Sequence, residues 1–257
     1  MVRNLILVNV GMMFLVGAMP QLFQLLALYS VNSYRFQPHQ FFTYMFLHDG
    51  LGHIFSNMLG LVVFGPMLEN HWGAKRFLTF WLVCGVGAGV LYSGVRYYEI
   101  HRMRQDVEAF EAAPTGVRYA DFYDRHLPEA QGYTIVARAI QKQANDPELI
   151  ESAKQQLRAI YEESLNHRNA GMVGASGALF AVIFAFAYLF PNTERIVFPI
   201  PVPIKAKYLA FAYGMLALYK GVHPVPGDNV AHFAHLAGML FGFVLLKFWE
   251  RNSSRFY

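Results

Sequence analysis

Six apolar runs, separated by short polar stretches and by one long one, set out the plan of this chain. They cover roughly Leu5 to Val31, Leu51 to Asn70, Phe77 to Tyr98, Met172 to Phe190, Ala206 to Val222 and Val230 to Trp249. A helix needs ~20 predominantly apolar residues to cross a bilayer core, and lipid offers backbone amides no partner, so each run predicts a membrane-spanning helix. The fifth is short and is bracketed by Lys207 and Lys220, whose ammonium groups can snorkel to the two interfaces. The first is too long for a secretory signal and lacks a small-residue cleavage pattern, which predicts a retained helix.

One stretch breaks the pattern. Between the third and fourth runs lies a polar insertion, residues 101–170, far longer than an ordinary connection. Asp146-Pro147-Glu148 reads as an N-cap, a proline at the first helical position and an acidic first turn. After it Leu149, Ala153, Leu157, Ile160, Tyr161 and Leu165 recur at helical spacing among charged and amide residues, predicting an amphipathic helix. A second short helix is expected around Tyr133 to Ala144. The division expected is therefore 1–100 with three spans, 101–170 as a helical extramembrane insertion, and 171–257 with three further spans and a short tail. The insertion is also a candidate surface for a partner.

Composition agrees with the pattern. Hydrophobic residues make up 55% and charged residues only 15%, against ~25% charged in soluble domains. With the N-terminus inside, the short inner loops carry Arg3, Lys75, Arg76, Arg195, Lys205, Lys207, Lys247, Arg251 and Arg255, and the short outer ones Arg35 and Lys220; long loops such as the insertion cross largely regardless of charge. Both termini are then expected on the cytoplasmic face, and the insertion outside. The net charge of +4 follows from topology and does not call for nucleic acid. Cys84 stands alone within a span, which excludes an intrachain disulfide.

Candidate chemistry lies at the starts of three spans. Ser176 sits between glycines in Met172-Val173-Gly174-Ala175-Ser176-Gly177-Ala178. His53 and Asn57, four apart at the head of the second span, present N–H donors from one helical face. In the sixth span His235 shares a face with Gly238 and Gly242, a small-xxx-small ridge that lets another helix come very close. Close approach is what general-base activation of a hydroxyl requires, and Gly174 and Gly177 supply matching smoothness beside Ser176. His232 and His48 read more simply as residues at helix starts. Histidine pairs could instead bind haem or a metal, but that scheme gives Ser176 and Asn57 no role; no metal and no cofactor are expected.

Three motifs in order, His53-x-x-x-Asn57, Gly174-x-Ser176-Gly177 and His235-x-x-Gly238-x-x-x-Gly242, spread over a chain of six spans, resemble the rhomboid family of intramembrane serine proteases. The resemblance implies an all-α, six-helix membrane bundle and a Ser-His dyad without an acidic third member. Ser176 would be the nucleophile and His235 the base, with the His53 and Asn57 side chains and the Ser176 backbone N–H as oxyanion donors. It further implies that the residue four after the serine, here Phe180, packs on the catalytic histidine. The expected activity is an intramembrane endopeptidase that cleaves transmembrane helices of membrane-protein substrates near the outer face, in a bacterial inner membrane. The Pro-rich segment His223 to Asp228 would cap the site. The alternative is a non-catalytic relative that binds transmembrane helices; such proteins usually lack the serine or the histidine. A transporter would be expected to show repeat symmetry and broken helices, which the chain does not display.

Overall fold

The computed structural model describes residues 1–167, 170–197, 200–223 and 232–251. The chain divides into two compact units, one formed by Met1–Tyr29, Arg35–Ser93 and Gly171–Tyr257, the other by Ser30–Tyr34 and Gly94–Ala170.

The first unit contains α1 (Val2–Ala18), α2 (Gln21–Leu26), the short α3 (Gln40–Thr43) with a following 3-10 turn, α4 (Leu51–Trp72) and the first part of α5 (Ala74–Ala112). After the segment assigned to the other unit come α9 (Ser176–Leu189), an antiparallel hairpin of β1 (Glu194–Val197) and β2 (Ile200–Lys205), α10 (Ala206–Val222) and α11 (His232–Arg251). α9 packs against α11, α4 and α10, and its buried residues lie all round the helix, as an interior helix requires. Around it gather Leu61, Phe64 and Leu68 of α4, Phe77, Phe80 and Trp81 of α5, and Leu246 of α11. The outer surface is also apolar: Phe55 and Val62 on α4, Phe211 and Met215 on α10, and Phe243 and Phe248 on α11 are exposed. Soluble monomers rarely carry apolar surface on this scale; a lipid-facing one does.

Among the described residues, α4, α5 and α11 are long and apolar enough to cross a membrane, while α1 and α9 are apolar but shorter. The first run is not the single helix expected. Pro20 has no N–H to give and disfavours helical geometry at the residue before it; Met19 leaves the helix at φ −132°, ψ 77°. A second helix then ends at Leu26, where Ala27 turns extended. The fourth run is likewise shorter as helix than as apolar sequence, because 171–175 is irregular and α9 begins only at Ser176. The third continues as helix past Tyr98 to Ala112.

The second unit holds the end of α5 with α6 (Gly116–His126), α7 (Tyr133–Lys142) and α8 (Pro147–Asn166) around its own core of Phe110, Tyr119, Phe122, Ile140 and Leu157. Asp146 caps α8 as its sequence predicts, accepting from the N–H groups of Glu148 at 3.0 Å and Leu149 at 3.2 Å. α6, which the sequence reading does not anticipate, packs on α7 at Gly116. A methyl there would lie 2.1 Å from the Ala137 carbonyl oxygen.

Candidate active site

The irregular segment before α9 is held by backbone hydrogen bonds, as buried non-helical chain must be. Met172 N–H donates to the Leu28 carbonyl at 2.8 Å and Leu28 N–H donates to the Met172 carbonyl at 3.0 Å; Gly174 N–H donates to the Tyr44 carbonyl at 3.0 Å. Tyr44 is itself buried, its hydroxyl donating to the Gly85 carbonyl at 2.7 Å. Gly174 has φ +125°, a conformation side chains rarely tolerate. The chain then turns at Ala175 into α9, which makes Ser176 the first helical residue. Its N–H is among the first four of a helix, which have no intrahelical acceptor, and it lies at the positive end of the helix dipole.

α11 delivers the histidine. α9 and α11 touch backbone to backbone: a methyl on Gly238 would lie 1.9 Å from the Gly177 carbonyl oxygen, and one on Gly242 3.2 Å from the Ala181 methyl. Gly177 is as constrained, since its own added methyl would lie 2.7 Å from that of Ala88. At this separation the Ser176 hydroxyl donates to His235 Nε2 at 2.8 Å. His235 is 8% exposed. Phe180, one turn along α9 from Ser176, stacks on the imidazole with ring centres 4.0 Å apart and planes 12° from parallel.

α4 brings His53 and Asn57. Gly50, at φ +99°, reverses the chain into its first turn. The Asp49 N–H then donates to His53 Nδ1 at 3.3 Å, which places the ring proton on Nε2. That nitrogen and the serine hydroxyl both lie beside Gly174: a methyl there would lie 2.8 Å from His53 Nε2 and 3.6 Å from Ser176 Oγ. Asn57, one turn further on, is 4% exposed, and its Nδ2 has no hydrogen-bond partner among the described residues. A buried amide donor without an acceptor is costly and calls for an explanation. The rings of His48 and His53 pack in a T-shaped arrangement, centres 5.0 Å apart. Burial, reinforced by the neighbouring His53, pushes the His48 pKa down to about 4.

Ser176, His235, Phe180, His53, Gly174, Gly177, Gly238 and Gly242 are thus linked by these contacts. Asn57 shares the His53 face of α4. His232 lies edge-on to His235 at 5.9 Å. Nothing in the sequence marks Tyr44 or the Asp49 amide: the Tyr44 carbonyl and the Asp49 N–H are backbone groups that leave no residue signature, and the Tyr44 hydroxyl meets its acceptor, the Gly85 carbonyl, far away in sequence. Of the expected cap, only His223 lies within the described residues; Pro224, Pro226, Gly227 and Asp228 lie outside them. Among the described residues no three His, Cys, Asp or Glu side chains form a cluster that could hold a metal ion.

A helical membrane protein with a serine hydrogen-bonded to an imidazole across two touching helices is a narrow class. The family description "Rhomboid domain" matches residues 35–101 and 157–250, and the chain belongs to the rhomboid family. It is similar to an uncharacterized mitochondrial rhomboid protein of Schizosaccharomyces pombe, 28% identical over 224 residues, 81% of this chain and 51% of that protein. It is also similar to the mitochondrial RHOMBOID-like protein 12 of Arabidopsis thaliana, 27% identical over 203 residues, 78% of this chain and 43% of that protein. The chain spans about half the length of the curated relatives it matches. Both relatives are named as mitochondrial, so they give no support to the bacterial inner membrane expected from the sequence.

Proposed function

We propose that this protein is an intramembrane serine endopeptidase acting through a Ser176–His235 dyad on transmembrane helices. The carrying observation is the 2.8 Å bond from Ser176 Oγ to His235 Nε2, a separation suited to general-base catalysis. As Oγ attacks a peptide carbonyl, its proton passes to Nε2. The tetrahedral intermediate expels the amine, which takes that proton from the imidazolium, and an acyl-enzyme remains. Water, deprotonated by His235, then releases the acid and restores the serine. Developing charge on the substrate oxygen would be met by the His53 Nε2–H, the Asn57 amide and the Ser176 N–H, donors fixed before reaction.

The lysine and arginine residues of the short loops support an orientation with the Ser176 end of α9 on the face opposite the positively charged ones, and cleavage would then occur near that face.

The test is reconstitution with a reporter carrying one transmembrane helix. Wild-type protein should cleave it within or beside the helix, and Ser176→Ala should not, while melting at the same temperature. Cleavage retained by Ser176→Ala would overturn the assignment. A folded wild-type protein that binds helices without cutting any would identify a non-catalytic relative.

A further inference from the structure

His48 is 7% exposed, yet neither of its ring nitrogens has a hydrogen-bond partner among the described residues. Burying two polar atoms unpaired is unfavourable, so what keeps the residue in place should be sought in what its ring touches. It touches His53, edge to face, at 5.0 Å and 75° between planes. His53 otherwise has one fixing contact in this loop, the 3.3 Å bond from the Asp49 N–H to Nδ1. That bond sets the tautomer but is long, and it leaves the ring free to tilt about the line joining N–H and Nδ1. Terminal sp³–sp² torsions such as histidine χ2 are broad, so one long hydrogen bond does not define the direction of Nε2–H. The two contacts come from consecutive residues, and Gly50 at φ +99° provides the turn that folds both back onto the first turn of α4.

We propose that His48 is a positioning residue for His53: its ring, packed T-shaped against the His53 imidazole, locks the plane of that imidazole while the Asp49 amide fixes its tautomer, so that Nε2–H points at the reacting carbonyl. This rests on the proposed oxyanion role of His53. The contribution is steric, from the ring, and not from its nitrogens. A phenyl ring of similar shape should therefore replace it, and should also remove the unpaired polar atoms.

The experiment measures kcat and KM on the reconstituted reporter for wild type, His53→Ala, His48→Ala, the double variant and His48→Phe, with a thermal melt of each. Removing one preorganised donor costs about 10²–10³ in kcat, which is the expectation for His53→Ala. His48→Ala should lower kcat about tenfold with KM little changed, since misplacing a catalytic group by an ångström can cost up to about 10²-fold. The double variant should be no slower than His53→Ala alone, because there is then no ring to position. His48→Phe should keep near wild-type kcat and melt no lower than wild type. The inference is overturned if the double variant loses the full His48→Ala factor on top of His53→Ala, or if His48→Phe is as slow as His48→Ala. Unchanged kcat in His53→Ala would instead sink the oxyanion role of His53, and the inference with it, while Ser176→Ala would still report separately on the dyad.

Discussion

Asn57 shows how a single residue links folding to chemistry. Its amide is buried without an acceptor among the described residues, a cost the fold carries and a substrate oxyanion would offset. Asn57→Ala should lower kcat about 10²- to 10³-fold and leave the melting temperature unchanged or raised; a protein that melts lower at unchanged kcat would mark a structural asparagine. Phe180 is a second case. Stacking at 4.0 Å needs an aromatic face and no hydroxyl, so Phe180→Tyr should retain cleavage and Phe180→Ala should lose much of it. His48 supplies a pH signature. Its pKa of about 4 in the folded protein lies below the ordinary histidine value of 6.5, so the unfolded chain binds more protons between those limits. Stability is then complete above pH 6.5 and falls as the pH drops towards 4. Melting temperatures from pH 7 to pH 4.5 should therefore fall further for wild type than for His48→Phe, and parallel curves would refute this.

Among the elements, the pair α9 and α11 sets the site's tolerance. Gly238→Ala would drive a methyl into the Gly177 carbonyl, where the gap is 1.9 Å. Relief requires the helices to part, and overpacking of this kind costs about 1–3 kcal/mol. Separation also stretches the Ser176–His235 bond, so cleavage should vanish even where the protein stays folded; full activity in Gly238→Ala would contradict the close-contact account. In the second unit, Asp146→Ala should destabilise α8 by about 1 kcal/mol, read by thermal or hydrogen-exchange measurements on residues 147–166.

The sequence makes some of these elements legible and hides others. Small residues spaced around His235 reveal a touching ridge, and Asp146-Pro147-Glu148 reveals a helix start, because both are local patterns with local causes. The apolar run through Pro20 reads as one span because hydropathy is blind to a missing N–H. The length of α9 is obscured because 171–175 is apolar yet held irregular by partners far away in sequence, Leu28 and Tyr44. The hairpin goes unread for a similar reason. Pro201 and Pro203 argue against a strand, but a two-stranded ribbon is all edge and tolerates them.

At the scale of the whole molecule, a serine, the histidine bonded to it and two candidate donors are gathered from α9, α11 and α4 into one unit, while residues 94–170 form a unit with a core of their own. Membership of the rhomboid family is shown by the match over both halves of the chain; the 2.8 Å Ser176–His235 contact supports the proposal of catalysis. Deleting Arg104 to Asn166 and rejoining the chain should leave Ser176 reactive if the site is built within the first unit alone, with any change confined to which substrates are cut; loss of Ser176 reactivity in a folded deletion protein would show that the site depends on that region. The most direct measurement is labelling of the membrane-embedded protein by a fluorophosphonate probe. The account predicts one adduct, on Ser176, in the wild type, and none in folded Ser176→Ala or His235→Ala protein. Absence of labelling in the wild type, or labelling of His235→Ala at the wild-type rate, would contradict it.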